Sequence, residues 1–301
     1  MARMRDDAPA RDESGVTKSL SPGLYITATP IGNAADITIR ALNVLKNCDA
    51  IVAEDTRVTS RLLSLYGISR PLVIYHDHNA ASVGPKLLAR LKKGERLALV
   101  TDAGTPLVSD PGYRLVKAAR HEGLHVVPVP GPSAAIAALS AAGIPCDRFV
   151  FVGFLPGKAG ERTELLNTLR HVPATLVFFE SPHRLAETLA VLAQSLGARD
   201  AAVARELTKI HEEFRRGSLE DLTSFYAAAP ARGEIVILVA PASEPSGQVD
   251  TAQIDSLLRQ ALPFMPVKAA ATLVAEATAT ARREVYLRAL TIMGEADGER
   301  S

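Results

Sequence analysis

The side chains best suited to proton transfer follow two short apolar runs in the first third of the chain. They are two carboxylates after the first run, and two histidines flanking a carboxylate after the second: Glu54, Asp55, His76, Asp77 and His78. Carboxylates and imidazoles accept a proton from a weakly acidic hydroxyl when they are held within hydrogen-bonding distance of it. These five residues are therefore candidates for a general base, and the sequence does not choose among them.

Each of these groups also has a simpler structural explanation. Asp55 is well placed to cap a helix predicted to begin at Thr56. His76 and His78 would lie on the same side of a strand if that strand continued through them. Two histidines alone do not make a metal centre, and no third ligand is evident nearby. We therefore predict no metal site, and surface histidines remain the alternative interpretation.

A second candidate site is the loop that follows the strand predicted at 96–100. The segment DAGTP, at 102–106, combines a carboxylate, a glycine that lets a ligand approach the backbone, and a rigid proline. A helix is predicted at 112–120, so the order strand, loop, helix puts this loop at the carboxyl edge of a parallel sheet, where ligands bind. Ordinary β–α connections use the same residue types. The loop alone therefore does not distinguish a turn from a ligand site.

The elements that must position these residues alternate between strand-like and helix-like segments from residue 24 onward. This alternation predicts an α/β fold with a mostly parallel sheet covered on both faces. The segment VPVPGPS, at 127–133, can neither continue a strand nor lie inside a helix, so it marks a boundary between two domains. We predict an N-terminal α/β domain at 24–130 and a C-terminal α/β domain at 131–241, with more antiparallel character at its end.

The two flanks of this α/β region have a different character. Residues 1–23 are polar and are predicted to form a disordered arm, and the Pro- and Ser-rich stretch 242–250 is predicted to be a linker. Residues 251–301 contain no strand-like run and form a small helical appendix, with helices predicted at 252–261, 267–278 and 282–290. Its apolar positions at helical spacing predict a core of Leu257, Leu258, Leu273, Val274, Val285, Tyr286 and Leu290.

Composition and charge exclude several classes of protein. The chain has 301 residues, a formal net charge of +1 and only two cysteines, which form no metal-binding pattern. No apolar run approaches the ~20 residues that span a bilayer, and the N-terminus has no signal-peptide core, so we expect a cytoplasmic protein with no membrane partner. A nucleic-acid binder is usually strongly basic, so any RNA contact must use local charge.

Six ordered motifs together resemble the tetrapyrrole methylase superfamily. They are TPIGN (29–33), AEDTR (53–57), HDHN (76–79), DAGTPLVSDPG (102–112), PGPSA (130–134) and ARELTK (204–209). The resemblance runs from residue 24 to about residue 290 and is strongest to the members that act on small-subunit ribosomal RNA. It implies two α/β domains with an S-adenosylmethionine cleft between them, a homodimer, and 2′-O-methylation of a cytidine ribose in 16S ribosomal RNA, either naked or in the assembled subunit.

The cofactor that this resemblance implies is compatible with the motifs. S-adenosylmethionine carries no phosphate, and the chain has neither a GxxxxGK[ST] motif nor a GxGxxG after its first strand. The cofactor needs glycine-rich backbone and a few polar anchors, which three turns of the first half supply. From these turns we expect contacts from Pro30, Gly32, Asp102, Ala103, Gly104, Thr105, Pro106 and Gly131. The resemblance adds Ser133, Ala134, Phe179, Glu180 and Leu207, and Glu234 is a further candidate.

Some of these residues have purely structural alternatives. Ser133 is predicted to cap the following helix, as Asp36 is for the first helix. Glu180 and Glu206 have arginines nearby in sequence, so ion pairing is the alternative for both.

The predicted RNA contacts are basic residues in two places. Arg57 and Arg61 lie four residues apart on one helix face. In the appendix, a helix–break–helix arrangement resembles a helix-turn-helix nucleic-acid-binding element, with four predicted phosphate contacts: Lys268, Arg282, Arg283 and Arg288.

Two other functions are consistent with the motifs. One is methylation of a tetrapyrrole such as a precorrin, because the cofactor loops do not specify the acceptor. The helical appendix and the AEDTR and HDHN segments argue against it. The other is a non-catalytic, RNA-binding ribosome assembly factor, against which the intact Asp102, Gly104 and Ser133 count.

Overall fold

The computed structural model describes residues 19–242, 251–278 and 280–298. They belong to two compact units, 1–242 and 243–301. Most of the predicted arm and the predicted linker lie outside the described residues. The last residues of the arm are ordered, contrary to the prediction, because Leu20 packs on a core cluster and the Tyr25 hydroxyl donates to the Ser21 carbonyl over 2.7 Å.

The first unit contains a five-stranded parallel sheet in the order β3-β2-β4-β1-β5. Its strands are β1 Gly23–Thr27, β2 Ala50–Ala53, β3 Leu72–Ile74, β4 Arg96–Leu99 and β5 Val126–Val129. Helices α1 (Ile39–Asn47) and α2 (Thr56–Leu65) cover one face, and α3 (Ala80–Lys92) and α4 (Tyr113–His121) cover the other. The central strands are apolar on both faces because both faces are buried.

The connection from β1 to α1 differs from the prediction. A single helix was expected to begin near Asp36, but Asp36 ends a 3₁₀ turn over Ala34–Asp36 that Asn33 caps. Helix α1 begins three residues later, where the Thr38 hydroxyl accepts a hydrogen bond from the Ala41 amide over 3.1 Å. The Asn33 side chain thus caps the 3₁₀ turn and the Thr38 hydroxyl caps α1, so Asp36 is not the N-cap of either.

An ion pair at the amino-terminal ends of the strands joins Asp49, which directly precedes β2, to Arg96, the first residue of β4. Asp49 accepts from the Arg96 amide over 2.7 Å and from the Arg96 guanidinium over 2.6 and 2.9 Å. These hydrogen bonds lower the pKa of Asp49 from its ordinary value to about 2. The pair is partly exposed to solvent, which weakens its contribution to stability.

The Asp49 pair predicts a pH-dependent loss of stability. Because the folded pKa lies below the unfolded value of about 3.9, the contribution is present above that value and is lost as the pH falls toward 2. We expect Asp49→Asn to be less stable than the parent by roughly 1 kcal/mol at pH 7, with the difference vanishing near pH 2. Urea unfolding between pH 2 and 7 measures it, and parallel pH profiles for the two proteins would contradict it.

The same unit contains a second five-stranded sheet in the order β6-β7-β10-β8-β9. Its strands are β6 Phe149–Phe154, β7 Thr175–Glu180, β8 Asp200–Arg205, β9 Glu213–Ser218 and β10 Ile235–Val239, and only β6 and β7 pair in parallel. Helix α5 (Ala134–Ala141) covers one face, and α6 (Ala159–Leu169), α7 (Leu185–Leu196) and α8 (Leu219–Ala228) cover the other. The predicted α/β class is therefore confirmed, while the domain boundary at residue 130 stays a prediction.

The second unit is helical, with α9 Thr251–Ala261, α10 Val267–Thr278 and α11 Arg282–Gly298. The predicted core is partly wrong, because Leu273 and Leu290 are 51% and 45% exposed. Small and β-branched residues fill the interior instead, including Ala270, Ala271, Ala275, Ala289 and Ile292. Alanines allow helices to pack closely, so the larger leucines beside them face outward. None of the described helices is long and apolar enough to cross a membrane.

Candidate cofactor and acceptor site

A cavity of about 420 Å³ lies in the first unit and has walls from both sheets. This volume is in the range of small-molecule sites. Its apolar side chains are Ile31, Val108, Ala134, Phe154, Phe179, Pro182, Leu207, Ile235 and Val236. Its polar and glycine lining comes from Gly104, Thr105, Ser109, Asp110, Ser133, Glu180, Ser181, Gly233 and Glu234, together with Ala103.

The three turns predicted to bind the cofactor come together at this cavity. Thr29 and Gly104 exchange backbone hydrogen bonds of 2.9 and 3.1 Å. The Thr105 hydroxyl donates to the Pro132 carbonyl over 3.0 Å. Because parallel strands end at one sheet edge, loops that are far apart in sequence meet here.

The loops around the cavity hold unusual backbone conformations. Leu107 and Ser109 have φ of 73° and 65°, and Glu206 and Thr208 have φ of 50° and 64°. Residues other than glycine rarely adopt positive φ, and each such residue costs about 1–3 kcal/mol unless its surroundings enforce it. These four residues therefore mark two loops whose shapes are imposed by the rest of the fold.

Nine of the residues predicted to contact the cofactor line the cavity: Ala103, Gly104, Thr105, Ser133, Ala134, Phe179, Glu180, Leu207 and Glu234. Five others do not: Pro30, Gly32, Asp102, Pro106 and Gly131.

Two of these five are glycines that serve contacts within the protein. A Cβ on Gly32 would lie 2.5 Å from the Lys209 side chain, and one on Gly131 would lie 2.9 Å from the Ala28 side chain. The Asn33 amide also donates to the Thr208 hydroxyl over 3.0 Å. These glycines let turns pack against each other, which is why they are not in the cavity wall.

The structural alternatives for Ser133 and Glu180 have opposite outcomes. Ser133 occupies the N-cap position of α5, but its side chain makes no capping hydrogen bond, so the predicted capping is wrong. The Glu180 carboxylate accepts from the Ser181 amide and the Thr188 hydroxyl, both over 2.7 Å, and lies 3.6 Å from Arg184. Ser133 therefore has a hydroxyl to offer to a ligand, whereas Glu180 is committed to its protein neighbours.

A lysine holds two carboxylates together at one side of the cavity. Lys209 Nζ lies 2.9 Å from Glu206 Oε1 and 3.0 Å from Glu234 Oε2. Glu206 also accepts from the Glu234 amide over 2.9 Å. The ion pair expected between Glu206 and a nearby arginine is thus made by Lys209, because Arg205 pairs with Glu213.

A group of carboxylates lies at the carboxyl ends of β2 and β4. Burial raises the pKa of Glu54, and the neighbouring Asp102 and Asp110 raise it further. Burial also raises the pKa of Asp102 and that of Asp110, and Asp110 lines the cavity. Like charges held close together and away from water favour the protonated form of a carboxyl group. When deprotonated, Glu54, Asp102 and Asp110 are therefore stronger bases than ordinary carboxylates.

Asp55 behaves differently from these three acids. Its carboxylate accepts from the Arg57 amide over 2.8 Å and pairs with the Arg57 guanidinium at 2.6 Å. These bonds lower its pKa to about 2, so it is a poor base. The predicted capping by Asp55 is confirmed, and Arg57 is held by that carboxylate while its side chain remains 85% exposed.

The two histidines lie in a turn and not on a strand. Strand β3 ends at Ile74, and Asn79 closes the following turn by accepting from the His76 amide over 2.9 Å. The His76 and His78 rings are 5.8 Å apart and inclined at 64°. His76 Nδ1 is buried and has no partner among the described residues, whereas Asp77 and His78 are exposed. No group of three or more His, Cys, Asp or Glu side chains in the described ranges is arranged to hold a metal.

The predicted RNA contacts differ in how available they are. Arg61, Lys268, Arg282 and Arg283 are exposed. Arg288 is not an open phosphate contact, because its guanidinium makes two hydrogen bonds of 2.5 Å to Asp255, a buried acid of the second unit. The helical pattern gave no sign of this pairing between residues 33 positions apart.

Comparison with known proteins now identifies the fold. The model for "Tetrapyrrole (Corrin/Porphyrin) Methylases" matches residues 23–223. A ribosomal RNA small subunit methyltransferase I of Mesorhizobium japonicum is 51% identical over 93% of this chain and 97% of its own length. The chain belongs to this family of tetrapyrrole methylases. A protein with the same name from Pseudomonas aeruginosa is 46% identical over 90% of this chain and 98% of its own.

Further comparisons concern the C-terminal segment and the fold. A model for "RsmI C-terminal HTH domain" matches residues 248–292. Among solved structures, the methyltransferase CobJ has a TM-score of 0.58 at 21% identity, covering 74% of this chain and 95% of that one. A Thermus thermophilus uroporphyrin-III C-methyltransferase complexed with S-adenosylhomocysteine has a TM-score of 0.53 at 19% identity, covering 72% and 97%. At these identities the solved structures establish the fold alone.

This tetrapyrrole methylase uses S-adenosylmethionine, and the residues present fit that cofactor. The cavity has apolar and aromatic walls for a nucleoside, the hydroxyl of Ser133, and the Asp110 carboxylate for a positively charged ligand. A sulfonium cofactor needs these features and needs no phosphate-binding loop. The predicted cofactor and the predicted family are both confirmed.

Several lining residues escaped the sequence analysis. Ser109 and Asp110 belong to the DAGTPLVSDPG motif, but cofactor contacts were predicted only for its first five residues, 102–106. Phe154, Gly233, Ile235 and Val236 come from the second sheet, where neither a motif nor a glycine-rich turn marked them in advance. An aromatic residue at the end of a strand, as Phe154 is, was the one available signal.

Proposed function

We propose that this methyltransferase transfers the methyl group of S-adenosylmethionine to the 2′-hydroxyl of a cytidine ribose in small-subunit ribosomal RNA. The observation that carries the proposal is the group of partly buried carboxylates beside the cofactor cavity. The relatives named ribosomal RNA small subunit methyltransferase I and the matching C-terminal domain support the choice of RNA.

S-adenosylmethionine, when bound, supplies a methyl group made electrophilic by its sulfonium. The residues that line the cavity would hold it, and among them Asp110 and Ser133 would offer a carboxylate and a hydroxyl to its polar and charged groups. The remaining task of the chain is to accept the proton of an incoming ribose hydroxyl, which requires a positioned base.

Glu54 is the base that we propose. Its pKa is raised, so it is a stronger base than an ordinary carboxylate. Asp55 is bonded to Arg57, and Asp77 and His78 are exposed and therefore weakly positioned. His76, whose buried Nδ1 has no partner in the described structure, is proposed to orient the substrate or Glu54.

A methyl-transfer assay tests the proposed function. The protein is incubated with methyl-labelled S-adenosylmethionine and, separately, with naked 16S ribosomal RNA, assembled small subunits and a uroporphyrinogen. We expect label on RNA, at the 2′-oxygen of one cytidine when the product is digested and mapped. Label on the tetrapyrrole alone would favour the alternative methylase, and RNA binding without label would favour an assembly factor. Homodimer formation and a cytoplasmic location remain predictions.

A further inference from the structure

The helices of the first unit divide the charge of the chain unequally between its two sheets. Helices α1 to α4, around the first sheet, carry ten basic residues and no acidic one. Helices α6 to α8, around the second sheet, carry five acidic residues and one arginine. The net charge of +1 therefore conceals a set of basic helices around the first sheet, whose acidic residues lie in the segments that connect them.

Among these basic helices, α3 and α4 form the most favourable surface for a polyanion. They pack side by side on one face of the sheet. Lys86 and Arg90 are neighbours along one side of α3, and Lys93 directly follows the last residue of that helix. Arg114 and Lys117 are neighbours in the same way on α4. At 1.5 Å per residue, the row on α3 continues to roughly 20 Å from the start of the helix.

The cations on this surface are largely available. Arg90 pairs with Glu95 at 2.7 Å and Lys92 pairs with Glu122 at 2.6 Å. Lys86, Lys93, Arg114 and Lys117 are exposed and have no carboxylate partner within the described part of the chain. We call these four residues the basic ridge.

The ridge begins at the edge of the sheet where the proposed chemistry takes place. Helix α4 follows directly after the loop that lines the cofactor cavity, and α3 follows the turn that contains His76. Since both helices start at the carboxyl ends of parallel strands, Arg114 and Lys86 lie in the first and second turns leading away from that edge.

The opposite face of the sheet is less suited to phosphates. Its helices expose the apolar side chains Ile39, Val58 and Leu65, at 72%, 38% and 69%. One of its arginines, Arg57, is already bonded to Asp55. Apolar exposure of this kind fits contact with protein better than contact with a polyanion.

We propose that the basic ridge on α3 and α4 binds the phosphate backbone of the ribosomal RNA substrate next to the acceptor site. This inference rests on the proposed function. Phosphate contacts fix the position of an RNA without reading its sequence, so the ridge would hold the strand while the cavity edge selects the ribose.

Two double variants, each lacking two positive charges, test the ridge. One combines Lys86→Gln with Lys93→Gln, and the other combines Arg114→Gln with Lys117→Gln. The matched control is Arg148→Gln with Arg170→Gln, which removes the same charge from exposed positions of the second half that have no carboxylate partner among the described residues. Binding to naked 16S ribosomal RNA is measured between 50 and 200 mM salt, with S-adenosylmethionine affinity and thermal unfolding as checks on folding.

We expect each ridge pair to weaken RNA binding on the order of tenfold to a hundredfold at 0.1 M salt and to reduce the salt slope by about 1.5–2. The control should stay within about twofold of the parent, and cofactor affinity should not change. Equal losses in ridge and control proteins, or none in the ridge proteins, would overturn the proposal. A parent that binds RNA through the ridge but methylates none would refute only the proposed function.

Discussion

Replacing Gly104 by valine is expected to weaken S-adenosylmethionine binding about tenfold to a hundredfold. Gly104 has φ of +82° and lines the cavity, and an added Cβ would lie 3.4 Å from Ile31 and 3.8 Å from the Pro132 carbonyl. The valine methyl groups have to enter the space between these walls, and an overfilled site costs about 1–3 kcal/mol. The strain of a β-branched residue at positive φ lowers the stability of the fold by a further ~1–2 kcal/mol and is separate from the loss of affinity. Isothermal titration calorimetry gives the affinity directly.

The chain offers a control that separates strain from obstruction. Gly67 also has positive φ, at +63°, but no atom lies within 4 Å of its added Cβ and it does not line the cavity. Gly67→Val should therefore lower thermal stability about as much as Gly104→Val while leaving cofactor affinity unchanged. If both variants keep the parent affinity, Gly104 does not border the cofactor.

Replacing Glu54 by glutamine is expected to lower kcat about 10²- to 10⁴-fold, the usual contribution of a positioned base. Glutamine keeps the size of the side chain and removes its ability to accept the proton. Cofactor affinity should stay the same, because Glu54 does not line the cavity. Single-turnover methylation of RNA at saturating cofactor measures the chemical step.

The pH dependence of the same reaction provides an independent check. Burial and the neighbouring Asp102 and Asp110 raise the pKa of Glu54, and only its deprotonated form accepts a proton. The rate of the parent should thus fall as the pH drops through a value above the ordinary carboxyl pKa of about 4.3. Glu54→Gln should lack this acidic limb. Asp77→Asn, on an exposed neighbour, should keep both the limb and a rate within a few-fold of the parent. A large loss there would point to Asp77 as the base.

The fold was predictable because its strands are short apolar runs separated by amphipathic helices. The elements predicted at 96–100, 112–120, 252–261 and 267–278 agree with the observed ones to within one residue at each end, whereas the helix predicted at 282–290 continues to Gly298. The errors occur where polar side chains decide between adjacent starts, as where Asn33 and Thr38 cap two successive turns and leave Asp36 inside the first. Periodicity also failed in α10 and α11, since it does not distinguish the buried Ala289 from the exposed Leu290.

The candidate site was predictable where it depends on parallel strands. The loops at Thr29, Gly104 and Pro132 meet because strands β1, β4 and β5 are neighbours that end at one edge. Lining residues from β10 were missed, because β10 is the last strand in sequence but is inserted between β7 and β8. No local pattern encodes an insertion of that kind.

Contacts between two turns beside the cavity join the two sheets. Asn33 and Gly32, which follow the first strand, touch Thr208 and Lys209 of the second sheet's loops. A ligand that contacts Gly104 on one side and Val236 on the other would brace the same junction. At a concentration 100 times its dissociation constant, such a ligand adds about 2.7 kcal/mol to the native state. The free energy of unfolding of the enzyme would then rise with the concentration of its cofactor.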